Sequence, residues 1–126
     1  MIPQETTVKV SALLQYLTLV LFLSVLFPLS VRATDFDVCP TCTYTTIQSA
    51  IDGAGRGDRI RVAQGTYVEN LSIGGSKSLT ISGGWNSDLT TQVKDPSLTI
   101  VDANQNGRAL YVYGAPSDIN VENFTF

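Results

Sequence analysis

Gly57-Asp58-Arg59-Ile60-Arg61-Val62-Ala63-Gln64-Gly65 and Lys77-Ser78-Leu79-Thr80-Ile81-Ser82-Gly83-Gly84 carry the pattern that decides the fold. In each, an apolar–polar–apolar triplet puts two side chains on one face of a very short strand. The same alternation returns at Leu71-Ser72-Ile73, Leu98-Thr99-Ile100, Leu110-Tyr111-Val112, Ile119-Asn120-Val121 and Phe124-Thr125-Phe126. Turn residues separate the triplets: Gly65, Gly74-Gly75, Gly83-Gly84, Asn104-Gln105-Asn106-Gly107 and Gly114. Ile60 to Leu79 spans 19 residues, Leu79 to Leu98 another 19, and Leu98 to Ile119 spans 21. A fixed period with such short strands predicts a solenoid. A sandwich has longer strands joined by hairpins.

Ahead of the strands, the period changes. Thr45-Thr46-Ile47-Gln48 matches a capping box, with Thr45 as N-cap and Gln48 at the third helical position. Ile47, Ala50, Ile51 and Ala54 then follow at helical spacing, and Gly55 stands at the stop position. A helix of about ten residues is too short to stand alone in water. It must lay its apolar stripe on a neighbour. A stack of parallel strands has an open lower edge that invites aggregation, and this helix is the expected cap.

The run from Thr46-Ile47-Gln48-Ser49-Ala50-Ile51-Asp52 through Gly57–Ile73 to Lys77-Ser78-Leu79-Thr80-Ile81-Ser82-Gly83-Gly84-Trp85 resembles the opening of right-handed parallel β-helix proteins of the pectin-lyase-like superfamily. The resemblance covers residues 44–126. One departure is Arg56-Gly57-Asp58, where the family commonly has Pro-Gly-Asp. The resemblance implies an all-β fold: the start of a right-handed parallel β-helix with a short N-terminal amphipathic capping helix. It is weak for function, because the superfamily includes polysaccharide lyases and hydrolases, adhesins and many exported bacterial proteins.

Residues 1–33 read as an export signal, cleaved after Val31-Arg32-Ala33. No charged residue lies between Val10 and Val31, and Pro28 breaks the helix ahead of the cleavage position. The alternative is an uncleaved membrane anchor over residues 10–31. Either reading places the rest of the chain outside the cytoplasm. Residues 34–43 form a linker holding Cys39-Pro40-Thr41-Cys42. In an oxidising compartment such a pair forms a structural disulfide, contributing about 2 kcal/mol on the loop-closure estimate. A redox site is the sharper alternative, but no apolar strand is read before Cys39.

The chain has 126 residues, 8 Lys and Arg, 11 Asp and Glu, and no His. After Ala33 six basic residues (Arg56, Arg59, Arg61, Lys77, Lys94, Arg108) stand against ten acidic ones. There is no basic face for nucleic acid. Without His, a Ser-His-Asp triad is impossible, and with two Cys a Zn site of the usual kind cannot assemble in one chain. No phosphate-cradling Gly loop is present, and no cofactor or metal is expected. No catalytic residue is assigned.

Several residues carry a sharper and a plainer reading. Tyr67, Trp85, Tyr111 and Tyr113 form candidate glycan contacts, or pack in ladders and rims. Asp88, Asp95, Asp102 and Asp118 offer carboxylates, although their spacing matches no Ca²⁺ loop and two sit in turns. Arg108 suits an acidic sugar or a solvated strand start. Arg56-Gly57-Asp58 reads as a turn rather than a recognition tripeptide, with Asp58 bonding local backbone. Asn70-Leu71-Ser72 and Asn123-Phe124-Thr125 are glycosylation acceptors only in a eukaryotic secretory pathway.

The alternating run Ile119–Phe126 ends without a polar capping repeat, so the expected partner of the last strands is a continuation of the same β-helix. The expected function is that of the capped N-terminal segment of an exported β-helix protein, secreted or displayed at the cell surface: a structural, adhesion or glycan-contacting module without catalysis of its own, with polysaccharide or cell-surface glycan as its expected partner. The alternative is the start of a polysaccharide lyase or glycoside hydrolase whose catalytic residues lie beyond residue 126. A small redox protein using Cys39 and Cys42 is a third reading.

Overall fold

The computed structural model describes residues 4–24, 32–114 and 118–126. The chain divides into two compact units, residues 1–31 and 32–126. The first holds helix α1 (Gln4–Ser24). No helix of the described residues is long and apolar enough to cross a membrane. Pro28 and Val31 of the expected cleavage region lie outside the described residues.

The second unit is mostly strands. In chain order they are β1 (Asp35–Val38), β2 (Asp58–Ala63), β3 (Gly65–Val68), β4 (Leu71–Ile73), β5 (Ser78–Trp85), β6 (Thr99–Asp102), β7 (Leu110–Val112) and β8 (Asp118–Glu122). Helix α2 (Ile47–Gly53) lies between β1 and β2, and a 3₁₀ turn (Pro96–Leu98) precedes β6. All named strands pair in parallel. One sheet has the order β1-β2-β5-β8; the other two are β3-β6 and β4-β7. Thus β2, β3 and β4 enter three sheets in turn, β5, β6 and β7 revisit them in the same order, and β8 returns to the first.

The register stacks apolar residues on apolar residues. Phe36 stands opposite Ile60, Ile60 opposite Ile81, and Ile81 opposite Val121. With Val38, Val62, Leu71, Ile73, Leu79 and Val101 they build one core, to which α2 adds Ile47, Ala50 and Ile51. Ile47, Ile60 and Ile73 are 0% exposed. Each such side chain contributes roughly 1.5–3 kcal/mol of transfer free energy.

Several expectations change. A strand does precede Cys39: β1 lies along β2, and its alternating acids pair with basic residues directly opposite. Asp35 accepts two hydrogen bonds from Arg59, at 2.9 Å each, and Asp37 two from Arg61, at 2.8 Å each. Leu98 is in the 3₁₀ turn, and the strand after it pairs with β3, not with β5. The residues spaced 19, 19 and 21 apart therefore do not form one ladder. The true offsets are 24 residues from Asp35 to Arg59, 21 from Asp58 to Leu79, and 40 from Ser78 to Asp118. Strand β3 was not among the alternating triplets. Phe124-Thr125-Phe126 forms a single bridge, Thr125 to Ile100.

The helix cap also differs. Thr46, not Thr45, is the N-cap; its side chain accepts from the Ser49 N–H. The helix ends at Gly53, with extended Ala54 as C-cap. Gly55 instead donates its N–H to Asp58, which also accepts from the Thr34 N–H. The Ile47 and Gln48 N–H groups donate to the two carboxylate oxygens of Glu69, both at 2.9 Å. That leaves the Gln48 side chain for another task. Its Oε1 accepts from the Ser72 N–H at 2.8 Å, and its Nε2 donates to the Ser72 carbonyl at 3.1 Å. In a parallel ladder, alternate residues bond to opposite neighbours. Strand β4 uses Leu71 and Ile73 toward the chain around β7, and Ser72 points the other way. The Gln48 amide occupies the place of a neighbouring strand.

Replacing Gln48 with Leu should leave both Ser72 groups to water. The expected cost is about 1–2 kcal/mol, read from urea unfolding, with increased self-association by light scattering. Asp35 is held below the usual carboxylate range, first by its hydrogen bonds from Arg59. A lowered pKa gives stability above the ordinary carboxylate pKa of about 3.9, lost as pH falls through the folded value. The pair is partly exposed, so the loss is at most about 1 kcal/mol and shrinks in high salt. Thermal unfolding should fall less steeply from pH 5 to pH 3 (about the unfolded pKa and below) in Asp35→Asn than in the unaltered chain.

Candidate functional site

The β4–β7 sheet runs out into two glycine-containing corners. The Tyr113 N–H donates to the Ile73 carbonyl at 2.9 Å, and Gly74-Gly75 and Gly114 follow. Gly75 and Gly114 have φ of 75° and 87°. That left-handed backbone favours glycine. They approach so closely that a Cβ on Gly114 would stand 3.0 Å from the Gly75 nitrogen.

Tyr111 and Tyr113 are two apart on one strand path, so they share a face. Their ring centroids are 5.5 Å apart at an interplanar angle of 18°, an offset stack. The Tyr113 ring tip crosses Gly74: a Cβ there would lie 2.3 Å from its Cζ. The Arg108 guanidinium carbon sits 5.3 Å from the Tyr111 ring centroid, in cation–π range. Tyr111 is 47% exposed and Tyr113 50%. The result is a row of guanidinium, ring and ring open to solvent. Beside Arg108, an open cleft of about 810 Å³ is lined by residues that include Ile100, Leu110 and Phe126.

Tyr67 and Trp85, the other two expected contacts, are engaged elsewhere. The half-buried Tyr67 packs on the core and donates its hydroxyl to the Ala63 carbonyl at 2.9 Å. Burial raises its pKa, with the Glu69 charge adding to the effect. Trp85 is also half-buried. It donates its indole N–H to Ser82 Oγ at 3.0 Å and lies 5.2 Å from the Arg61 guanidinium. It packs on a second small cluster of Cys39, Ala63 and Leu89. Cys39 and Cys42 are joined in a disulfide.

Two of the four acidic candidates, Asp95 and Asp102, serve local turns, and Asp118 opens β8. Asp95 accepts from the Ser97 hydroxyl and backbone N–H, which together lower its pKa. Asp102 accepts from the Asn104 N–H at 2.7 Å. Among the described residues no group of three His, Cys, Asp or Glu could hold a metal ion.

Two contributors to the patch were not read from sequence. Gly74 looked like turn chemistry alone; only the close approach of Tyr113 reveals its second role. Asn70 looked like a glycosylation acceptor, yet its Nδ2 donates to the carbonyls of Asn106 and Arg108. No protein-family model, curated protein or solved structure matches the chain.

Gly74→Ala should push the Tyr113 ring aside while leaving the strands in place, because the obstructed atoms are the far end of a side chain. The near-ultraviolet circular dichroism of the tyrosines should change, with a stability loss of about 1 kcal/mol or less. Unchanged tyrosine dichroism would contradict this packing.

Proposed function

We propose that residues 34–126 form the capped first coils of an exported right-handed parallel β-helix of the pectin-lyase-like kind, and that they contact glycan through Arg108, Tyr111 and Tyr113. Three parallel sheets visited twice in the same order support the coil reading. The strong right-handed preference of parallel crossovers supports that hand. The sequence of residues 1–33, read as a cleaved signal, and the Cys39–Cys42 disulfide support export, since such bonds persist in oxidising compartments.

The observation that carries the binding reading is the exposed stack of Tyr111 and Tyr113 beside Arg108. Saturated sugar rings combine C–H faces with hydroxyls. A partly uncovered aromatic stack meets the first, while phenol hydroxyls and a guanidinium meet the second. The role is binding, without chemistry of its own.

The test uses insoluble cellulose, insoluble xylan and gel-immobilised polygalacturonate. The chain should be retained by at least one. Tyr111→Ala should weaken that retention about tenfold, a loss near 1.4 kcal/mol. Trp85→Ala, at a packing position, should leave the affinity of the folded fraction unchanged. No retention by any of the three, or equal retention after Tyr111→Ala, overturns the reading. New reducing or unsaturated ends would overturn its non-catalytic part.

A further inference from the structure

We infer that Asn70 is the positioning residue of the Arg108–Tyr111–Tyr113 patch; the inference rests on the glycan reading for its purpose and on geometry alone for its existence. The segment before Arg108 is an unusual turn. Asn104 and Gln105 have φ of 49° and 57°, and Gly107 has φ of 102°. Consecutive non-glycine residues in the left-handed region are held there only when their surroundings over-determine them.

Two holds are local. Asp102 accepts from the Asn104 N–H at 2.7 Å, and the Asn106 N–H donates to the Ala103 carbonyl at 2.9 Å. The third comes from the segment between β3 and β4. Asn70 Nδ2 donates to the Asn106 carbonyl at 3.2 Å and to the Arg108 carbonyl at 2.9 Å. Just beyond, the Leu71 N–H donates to the Ala109 carbonyl at 2.8 Å, the first rung of the β4–β7 ladder. A side chain therefore extends the ladder past its backbone end.

Fixing the Arg108 carbonyl fixes the root of a long, freely rotating side chain. A guanidinium held from a fixed root loses less freedom when it lies over a ring. Among the described residues no carboxylate pairs with Arg108, so the Tyr111 ring and the anchored root set its place. Asn70→Asp keeps the shape but turns two donors into acceptors facing two carbonyls.

The direct test needs no glycan. It follows the Arg108 Nε–H signal by nuclear magnetic resonance in the disulfide-bonded chain, assigned with Arg108→Lys. The signal should be displaced by the Tyr111 ring in the unaltered chain. It should return to the position of a free arginine in Asn70→Asp while the Ile60 and Ile81 amide signals stay put. An unmoved Arg108 signal overturns the inference. Should Asn70→Asp fail to fold, Asn70→Ala replaces it. In either case slow exchange of the Asn70 Nδ2 hydrogens in the unaltered chain is required, and fast exchange overturns the inference.

A double-mutant cycle on the retaining polysaccharide separates positioning from general stability. Asn70→Ala should weaken binding about fivefold when Arg108 is present and not further in the Arg108→Ala background. Losses that simply multiply overturn the positioning role. If the unaltered chain binds none of the three polysaccharides, the glycan reading fails, and the Arg108 signal still decides whether Asn70 positions it.

Discussion

A parallel sheet leaves a row of backbone donors and acceptors along its lowest strand, and closing that row is the constraint on which this chain depends. Two devices cover part of it, with β1 and β3 left as outermost strands. Strand β1 covers β2, tied by paired Asp and Arg residues opposite each other. The Gln48 amide covers Ser72 in the middle of β4. Helix α2 carries Gln48, and the helix start is itself capped by Glu69 from the segment between β3 and β4. Cap and strands thus secure each other. A seven-residue helix would not persist alone, and the strands would expose an apolar end without it.

The opposite side follows a different logic. Strands β7 and β8 each have a named strand on one side only. The offset between stacked strands grows from 21 residues, Asp58 to Leu79, to 40, Ser78 to Asp118. The added residues include the Asn86–Asp95 segment and the turn before Arg108. Length is added at corners, where it does not disturb the ladders. Gly83 and Gly84 show how tightly the first of these segments returns. A Cβ on Gly84 would lie 2.1 Å from the Val93 carbonyl oxygen, and one on Gly83 would lie 2.3 Å from that of Asn123. The second carries the candidate patch.

The alternating triplets and the amphipathic stripe were legible because they depend only on which residues must avoid water. Register was not. The near-equal spacing of Ile60, Leu79 and Leu98 is arithmetic coincidence, since Asp95 and Pro96 turn the chain into a 3₁₀ segment just before β6. Asp35-Phe36-Asp37-Val38 hid as a strand because half its residues are charged, and their partners Arg59 and Arg61 are 24 positions away. Thr45 and Thr46 are equivalent in a capping pattern until a tertiary carboxylate, Glu69, takes up the helix N–H groups. Tyr67, Trp85, Tyr111 and Tyr113 stood in the sequence as one group of four aromatics. That Tyr67 and Trp85 are engaged in packing while Tyr111 and Tyr113 are exposed was not legible there, because burial is decided by neighbouring strands.

The proposed glycan-contacting surface lies at the open β4–β7 corner, in a different sheet from the paired charges of the β1–β2 edge. Titrating the isotope-labelled chain with a soluble oligosaccharide of the retaining polysaccharide, and following backbone amides by nuclear magnetic resonance, tests this most directly. The predicted shifts cluster at Gly74, Gly75, Arg108, Tyr111 and Tyr113, with Asp35, Asp37, Arg59 and Arg61 unmoved. Shifts centred on the β1–β2 edge, or none at millimolar oligosaccharide (about the weakest specific binding worth resolving), would contradict it.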